Sequence, residues 1–239
     1  MPEWKDVLAA VMTLLASFAG AWAAFALESR RRQGEKEDRE VAAGNRAIYG
    51  VYSLWNVLEQ YRKEVLEPFR KSGDAWLNLS AHPAPPATPD RFQISELQFL
   101  IERSKAPVFA TLLLEEQRFD LAIGLIRSRS DLVLGEVFPR MAAAGFGVGQ
   151  ALDPRRVEEA LGIDVCHRLR ETTAAIFTNV DEDLDSLKAA YAVLRSSMKE
   201  LYPKRKFLEI VFEDQKGNKP KEANPAFERD APKAARPSI

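Results

Sequence analysis

The chain has 239 residues, 46% hydrophobic and 29% charged, and its 34 Lys+Arg against 35 Asp+Glu leave a formal net charge of -1. That length supports one ordinary core with appendages. The balanced charge excludes the marked positive excess of a general nucleic-acid binder, and a single cysteine excludes a disulfide framework.

No Asp, Glu, Lys or Arg occurs from Val7 to Leu27. A helix rising about 1.5 Å per residue carries that stretch across roughly 30 Å, the thickness of a bilayer's hydrocarbon core. The sequence therefore predicts one transmembrane helix. Arg30, Arg31, Arg32, Lys36 and Arg39 follow it and only Lys5 precedes it, which predicts an outside N-terminus and a cytoplasmic remainder. A cleavable signal peptide, suggested by Ala24-Phe25-Ala26, would have Glu3 and Asp6 where a positive region belongs. A soluble core helix, apolar on every side, is more than so small a domain can hide.

At about 100° per residue, Leu8, Val11, Leu15, Phe18, Trp22 and Phe25 share one side of this segment. Ala10, Thr13, Ser17, Gly20 and Ala24 share the other. Small side chains let helix backbones approach closely in lipid, so Thr13, Ser17, Gly20 and Ala24 form a candidate packing face for a second copy or a protein partner. Arg30, Arg31 and Arg32 are candidate topology determinants and contacts to the lipid bilayer.

Residues 28–46 open with mixed charges around Gly34 and read as a solvated neck. From Ala47 a helical seam runs through Val51, Leu54, Leu58, Tyr61, Val65 and Phe69, closed by Pro68 and a turn at Ser72-Gly73-Asp74. The proline-rich stretch 82–89 predicts a loop of polyproline character. Helical spacing resumes over Ile94–Ile101 and again from Pro107 to Val137, with a split expected at Ser128-Arg129-Ser130-Asp131. Asp153-Pro154 predicts the capped start of a short helix ending at Gly162. The seam Val165, Leu169, Thr173, Ile176, Val180, Leu184, Leu187, Tyr191, Leu194, Met198 and Leu201 predicts one long helix, or two meeting near Asn179. Phe207–Phe212 is short, apolar and bounded by turn formers, which predicts a strand paired with Trp76–Leu79 or with another protein's edge. From Asp214 the chain is polar and rich in lysine and proline, a disordered tail.

The usual chemical signatures are missing. Asp181, Asp183 and Asp185 match the first ligand positions of a calcium loop, but Ser186 stands where glycine is needed and Ala192 where the bidentate glutamate is needed. Gly145-Phe146-Gly147-Val148-Gly149-Gln150 lacks both the third glycine and the preceding strand of a dinucleotide loop, and is expected to be a hinge. Cys166 and His167, as helix neighbours, point about 100° apart and make no dyad. No catalytic, metal or cofactor residue is assigned.

The expected fold is mainly α: a membrane segment over 1–27, a neck over 28–46, a cytoplasmic antiparallel helical bundle over 47–213 with a minor strand element near 207–213, and a tail over 214–239. The expected function is a membrane-anchored adaptor or scaffold subunit binding a protein partner, with no nucleic acid. The alternatives are a self-associating membrane effector gated by its bundle, pore-forming or bilayer-disturbing and suited to host defence, and an enzyme built on carboxylates alone.

Overall fold

The computed structural model describes residues 4–82, 91–146 and 153–212. The chain divides into two units, Met1–Glu209 and Ile210–Ile239, and the described part of the second, Ile210–Phe212, carries no regular secondary structure. The proline-rich residues 83–89, the glycines at 147 and 149 and the tail from 214 lie outside the described residues. What is described is mostly helical.

One helix, α1, runs unbroken through Trp4–Tyr61, 58 residues in all. The apolar segment, the neck and the first core helix are thus one rod. Gly34 does not interrupt it, because an exposed helical glycine costs only about 1 kcal/mol relative to alanine. The i,i+4 pairs Arg32–Glu28 at 2.7 Å and Arg31–Glu35 at 3.0 Å brace the helix around it. Residues 12–25 of α1 are bare of protein, with Phe18 and Phe25 each 77% exposed. Burial begins at Glu40 and Ala43, and from Ala47 the seam of Ile48, Val51, Leu54 and Leu58 is fully covered.

Two wide π-helical turns follow the same logic. α1 relaxes into one over Arg62–Leu66, just ahead of Pro68, and α4 (Ala106–Leu132) relaxes into another over Val133–Val137, just ahead of Pro139. Proline offers no amide and its ring crowds the carbonyl four residues back, so the preceding turn widens. The helix resumes as α5 (Phe138–Ala143). The split expected at Ser128–Asp131 is therefore misplaced. α4 passes straight through those residues because Arg129 turns inward and the Ser130 hydroxyl donates back to the Ile126 carbonyl at 3.0 Å. Short helices α2 (Ala75–Asn78) and α3 (Phe99–Glu102) lie between the two long ones.

Beyond 152, Asp153 caps α6 (Pro154–Leu161) by accepting from the Arg155 amide at 3.1 Å. Gly162, at φ +81°, permits the sharp turn into α7. α7 (Ile163–Leu201) is a single 39-residue helix, continuous through Asn179. It is the wall on which α1, α4, α2 and α6 pack, with Val165, Leu169, Ile176, Val180, Leu187, Leu194 and Met198 buried along it. Contacts near its end join Tyr202 to Glu40 and Lys105 to Glu200, and earlier contacts join Asp181 to Arg70 and Thr173 to Arg129.

The strand expected at 207–213 is not there: no strand occurs among the described residues, residue 213 lies outside them, and the proposed partner around Trp76 is helix α2. The physical reason is a side chain that takes a strand's place. The Asn45 amide donates to the Lys206 carbonyl at 3.5 Å and accepts from the Leu208 amide at 3.0 Å, while Arg195 donates to the Leu208 carbonyl at 3.1 Å. The backbone is satisfied without a ladder, and Phe207 is buried. Asn45→Ala is expected to speed hydrogen exchange at the Leu208 amide while lowering global stability by only about 1 kcal/mol, as read by exchange mass spectrometry and thermal melting.

Candidate functional site

All four residues of the small face, Thr13, Ser17, Gly20 and Ala24, lie exposed on α1, and a Cβ added at Gly20 would meet nothing within 4 Å. Among the described residues, α1 is the one helix long and apolar enough to cross a membrane, with mean hydropathy 1.3 over its best 18-residue stretch and none of that stretch buried. Arg30, Arg31 and Arg32 follow it, all exposed, the last two already paired with Glu35 and Glu28.

Where α1 meets the bundle, a buried carboxylate joins three parts of the chain. Glu40 is 5% exposed; its Oε2 accepts from the Tyr202 hydroxyl and from Arg103 Nη2 at 3.1 Å, and Lys36 Nζ stands 3.7 Å from Oε1. Burial, and next the hydrogen bond to Glu40, push the Tyr202 hydroxyl above the ordinary phenol range. The charge-rich neck pattern hides this anchor, since Glu40 sits in a run of charges that reads as solvated.

At the other end, Arg129 is 2% exposed and has no carboxylate partner among the described residues. Its guanidinium instead donates to neutral acceptors: Thr173 Oγ1 at 2.8 Å and the carbonyls of Leu79 at 2.6 Å, Trp76 at 3.2 Å and Ser80 at 3.3 Å. Those carbonyls close the C-terminal end of α2, whose partial negative charge suits a cation. Burial brings the Arg129 pKa down to about 10, leaving it charged at neutral pH, and pushes Tyr61 up to about 12. Only a planar fork of five donors reaches four acceptors in this way.

Midway along α7, the acids that resembled a calcium loop radiate apart because they sit on a helix. Asp181 pairs with Arg70 at 2.7 Å, Asp185 is exposed, and Asp183 is buried against α4 at 6% exposure. There Glu115, 2% exposed, accepts from Ser186 Oγ at 2.6 Å and from Arg118 at 3.0 Å. Asp183 Oδ2 is buried without a hydrogen bond. Burial first, then the Glu115 charge, push the Asp183 pKa up to about 6. Among the described residues no group of three or more His, Cys, Asp and Glu could hold a metal ion.

An open groove of about 580 Å³ runs between α4, the π turn after it and α7, lined by Asp131, Glu136, His167, Arg168 and Glu171 among others. Arg168, 2.6 Å from Glu136, holds that carboxyl below the usual carboxylate range. His167 faces this groove, whereas Cys166 packs into the core with Trp76, Val137 and Leu161, where burial raises its thiol pKa. The neighbours therefore point apart, as helix geometry requires.

Comparison of the chain with family models, with curated proteins and with solved structures found no match. The class defined by structure alone is an all-α protein whose longest helix is long and apolar enough to cross a membrane and continues into the core.

Two outcomes are expected from the buried polar groups. Arg129→Met leaves several buried carbonyls unpaired and should cost about 3 kcal/mol in denaturant melts, with Arg129→Lys rescuing little. Because the folded pKa of Asp183 is raised, its ionised form opposes folding at neutral pH, and stability should rise as pH falls from about 7 toward 4. Asp183→Asn should flatten that rise and add on the order of 2 kcal/mol at pH 7.

Proposed function

We propose that this protein is a single-pass membrane-anchored adaptor or scaffold subunit, whose cytoplasmic antiparallel helical bundle holds a protein partner at the bilayer. The observation that carries this is the unbroken passage of α1 from a fully exposed apolar stretch into the buried core seam. An apolar stretch with no cover inside the chain needs lipid around it, and a continuous helix fixes the bundle at a set height. The arginines after that stretch support a cytoplasmic bundle by the positive-inside rule. Leu114, 44% exposed, and Leu121, 66% exposed, stand two turns apart on the outer side of α4, an apolar contact point for a partner.

A second reading, self-association, is favoured by helical phase. At about 100° per residue, Thr13, Ser17, Gly20 and Ala24 lie roughly opposite the seam of Ala43, Ala47, Val51, Leu54 and Leu58. Below the small face the same side of α1 passes through Arg31 and Glu35, paired with one another, and Asp38, paired with Arg205, and then carries the uncharged Ala42, Tyr49, Ser53, Asn56 and Gln60. Two copies joined along this side would leave both bundles facing outward and unobstructed, the arrangement that a self-assembling effector gated by its bundle requires.

Purification of the tagged full chain from native membranes in mild detergent, with the mass of the complex and of each component, separates the two. A distinct protein at fixed stoichiometry, lost on Leu114→Glu with Leu121→Glu, is the outcome expected of the adaptor. A homo-oligomer whose cross-linked dimer disappears on Ser17→Leu with Gly20→Leu is the outcome expected of the effector. A stable monomer with no companion counts against both.

A further inference from the structure

The tertiary structure brings a second basic segment to the end of the bundle nearest the apolar stretch. Pro203-Lys204-Arg205-Lys206 forms an exposed turn between two buried anchors, Tyr202 on Glu40 and Phe207 beside α1. The turn is held in place: the Arg205 amide donates to the Tyr202 carbonyl at 3.0 Å, Asn45 grips Lys206 and Leu208, and the Arg205 side chain pairs with Asp38. Most acids at this end are already matched, Glu102 by Lys36 at 3.2 Å and Glu200 by Lys105 at 2.6 Å. Lys204 and Lys206, like Arg30 and Arg39 on α1, have no carboxylate partner among the described residues.

We infer that this turn and the arginines that follow the apolar stretch together form a docking surface for the headgroups of anionic phospholipids. The inference rests on membrane anchoring through α1. Asp38, which marks the height of the turn, lies eleven residues past Leu27, or about 16 Å along the axis. The headgroup layer occupies roughly 6 Å of that distance. An upright helix therefore leaves these cations about 10 Å above the headgroups, about one Debye length at 0.1 M ionic strength. A helix tilt of about 20° toward the turn, with extended lysine side chains, closes the gap. Arg30, Arg31 and Arg32 lie within the headgroup layer itself, so the two segments contact the same surface at different depths. Anionic lipid would then set the tilt of the rod and hence the direction in which the bundle faces.

The test uses the full chain in nanodiscs of phosphatidylcholine alone and of phosphatidylcholine with about one third phosphatidylserine, with brief lysine acylation read residue by residue by mass spectrometry. Lys204 and Lys206 are expected to lose about threefold of their labelling in the anionic discs and to regain it in about 0.5 M salt. Lys71, at the far end of the bundle, is expected to label equally in both. Equal labelling of Lys204 and Lys206 in the two discs overturns the inference, as does a matching fall at Lys71. Protection by millimolar inorganic phosphate in neutral discs overturns it in favour of a free-anion site. A chain that enters neither disc overturns the anchoring itself, and this surface with it.

Discussion

The rest of the structure depends on the continuity of α1. A helix has no joint unless proline, glycine pairs or an inserted group supplies one, and between Trp4 and Tyr61 none does so. The exposed apolar stretch and the buried seam are therefore mechanically one object. Any environment that fixes the first half fixes the height and rotation of the second. The bundle contributes the opposite constraint: α7 packs on the seam that ends at Leu58, with cover reaching back to Ala43 and Glu40, and leaves residues 12–25 without protein cover.

Buried polar groups set the register of that packing. Glu40 ties the start of the seam to the end of α7 through Tyr202, and Arg129 ties the far end of α4 to α2 and to Thr173. Both are nearly sealed from water, so each would be costly if its partners slipped by a turn. Between them, Asp183 and Glu115 introduce like charge into the α4–α7 contact, offset in part by Arg118 and the Ser186 hydroxyl, both bonded to Glu115. That contact tightens in acid rather than loosening, the reverse of the usual behaviour of paired carboxylates.

The groove between α4 and α7 holds His167 beside an ion pair. Glu136 and Arg168 are committed to one another, and Cys166 is turned into the core. Along its length the protein carries apolar side chains at one end of a rod, a basic turn where rod and bundle meet, and an outward face of α1 that passes through Arg31, Glu35 and Asp38 before becoming uncharged from Ala42 to Gln60.

Much was legible in the residues because helical periodicity is local. The apolar segment, the seam from Ala47, the cap at Asp153, the stop at Gly162 and the helical seam from Val165 to Leu201 all follow from spacing and from proline, glycine and aspartate chemistry, whereas the continuity of α7 through Asn179 is set by its packing. What the sequence could not decide was anything that depends on a partner distant in the chain. Mixed charges around Glu40 look solvated until Tyr202 and Arg103 come down on them. Arg129 among polar neighbours suggests a break until the carbonyls of α2 are seen to receive it. The apolar run from Phe207 suggests a strand because nothing local reveals that Asn45, far upstream, will satisfy its backbone. Sequence alone determined most of the long helices and which stretch is long and apolar enough to cross a membrane. Tertiary structure alone decided which polar groups are buried and which cations gather at the base of the bundle, because burial and pairing are set by residues far apart along the chain.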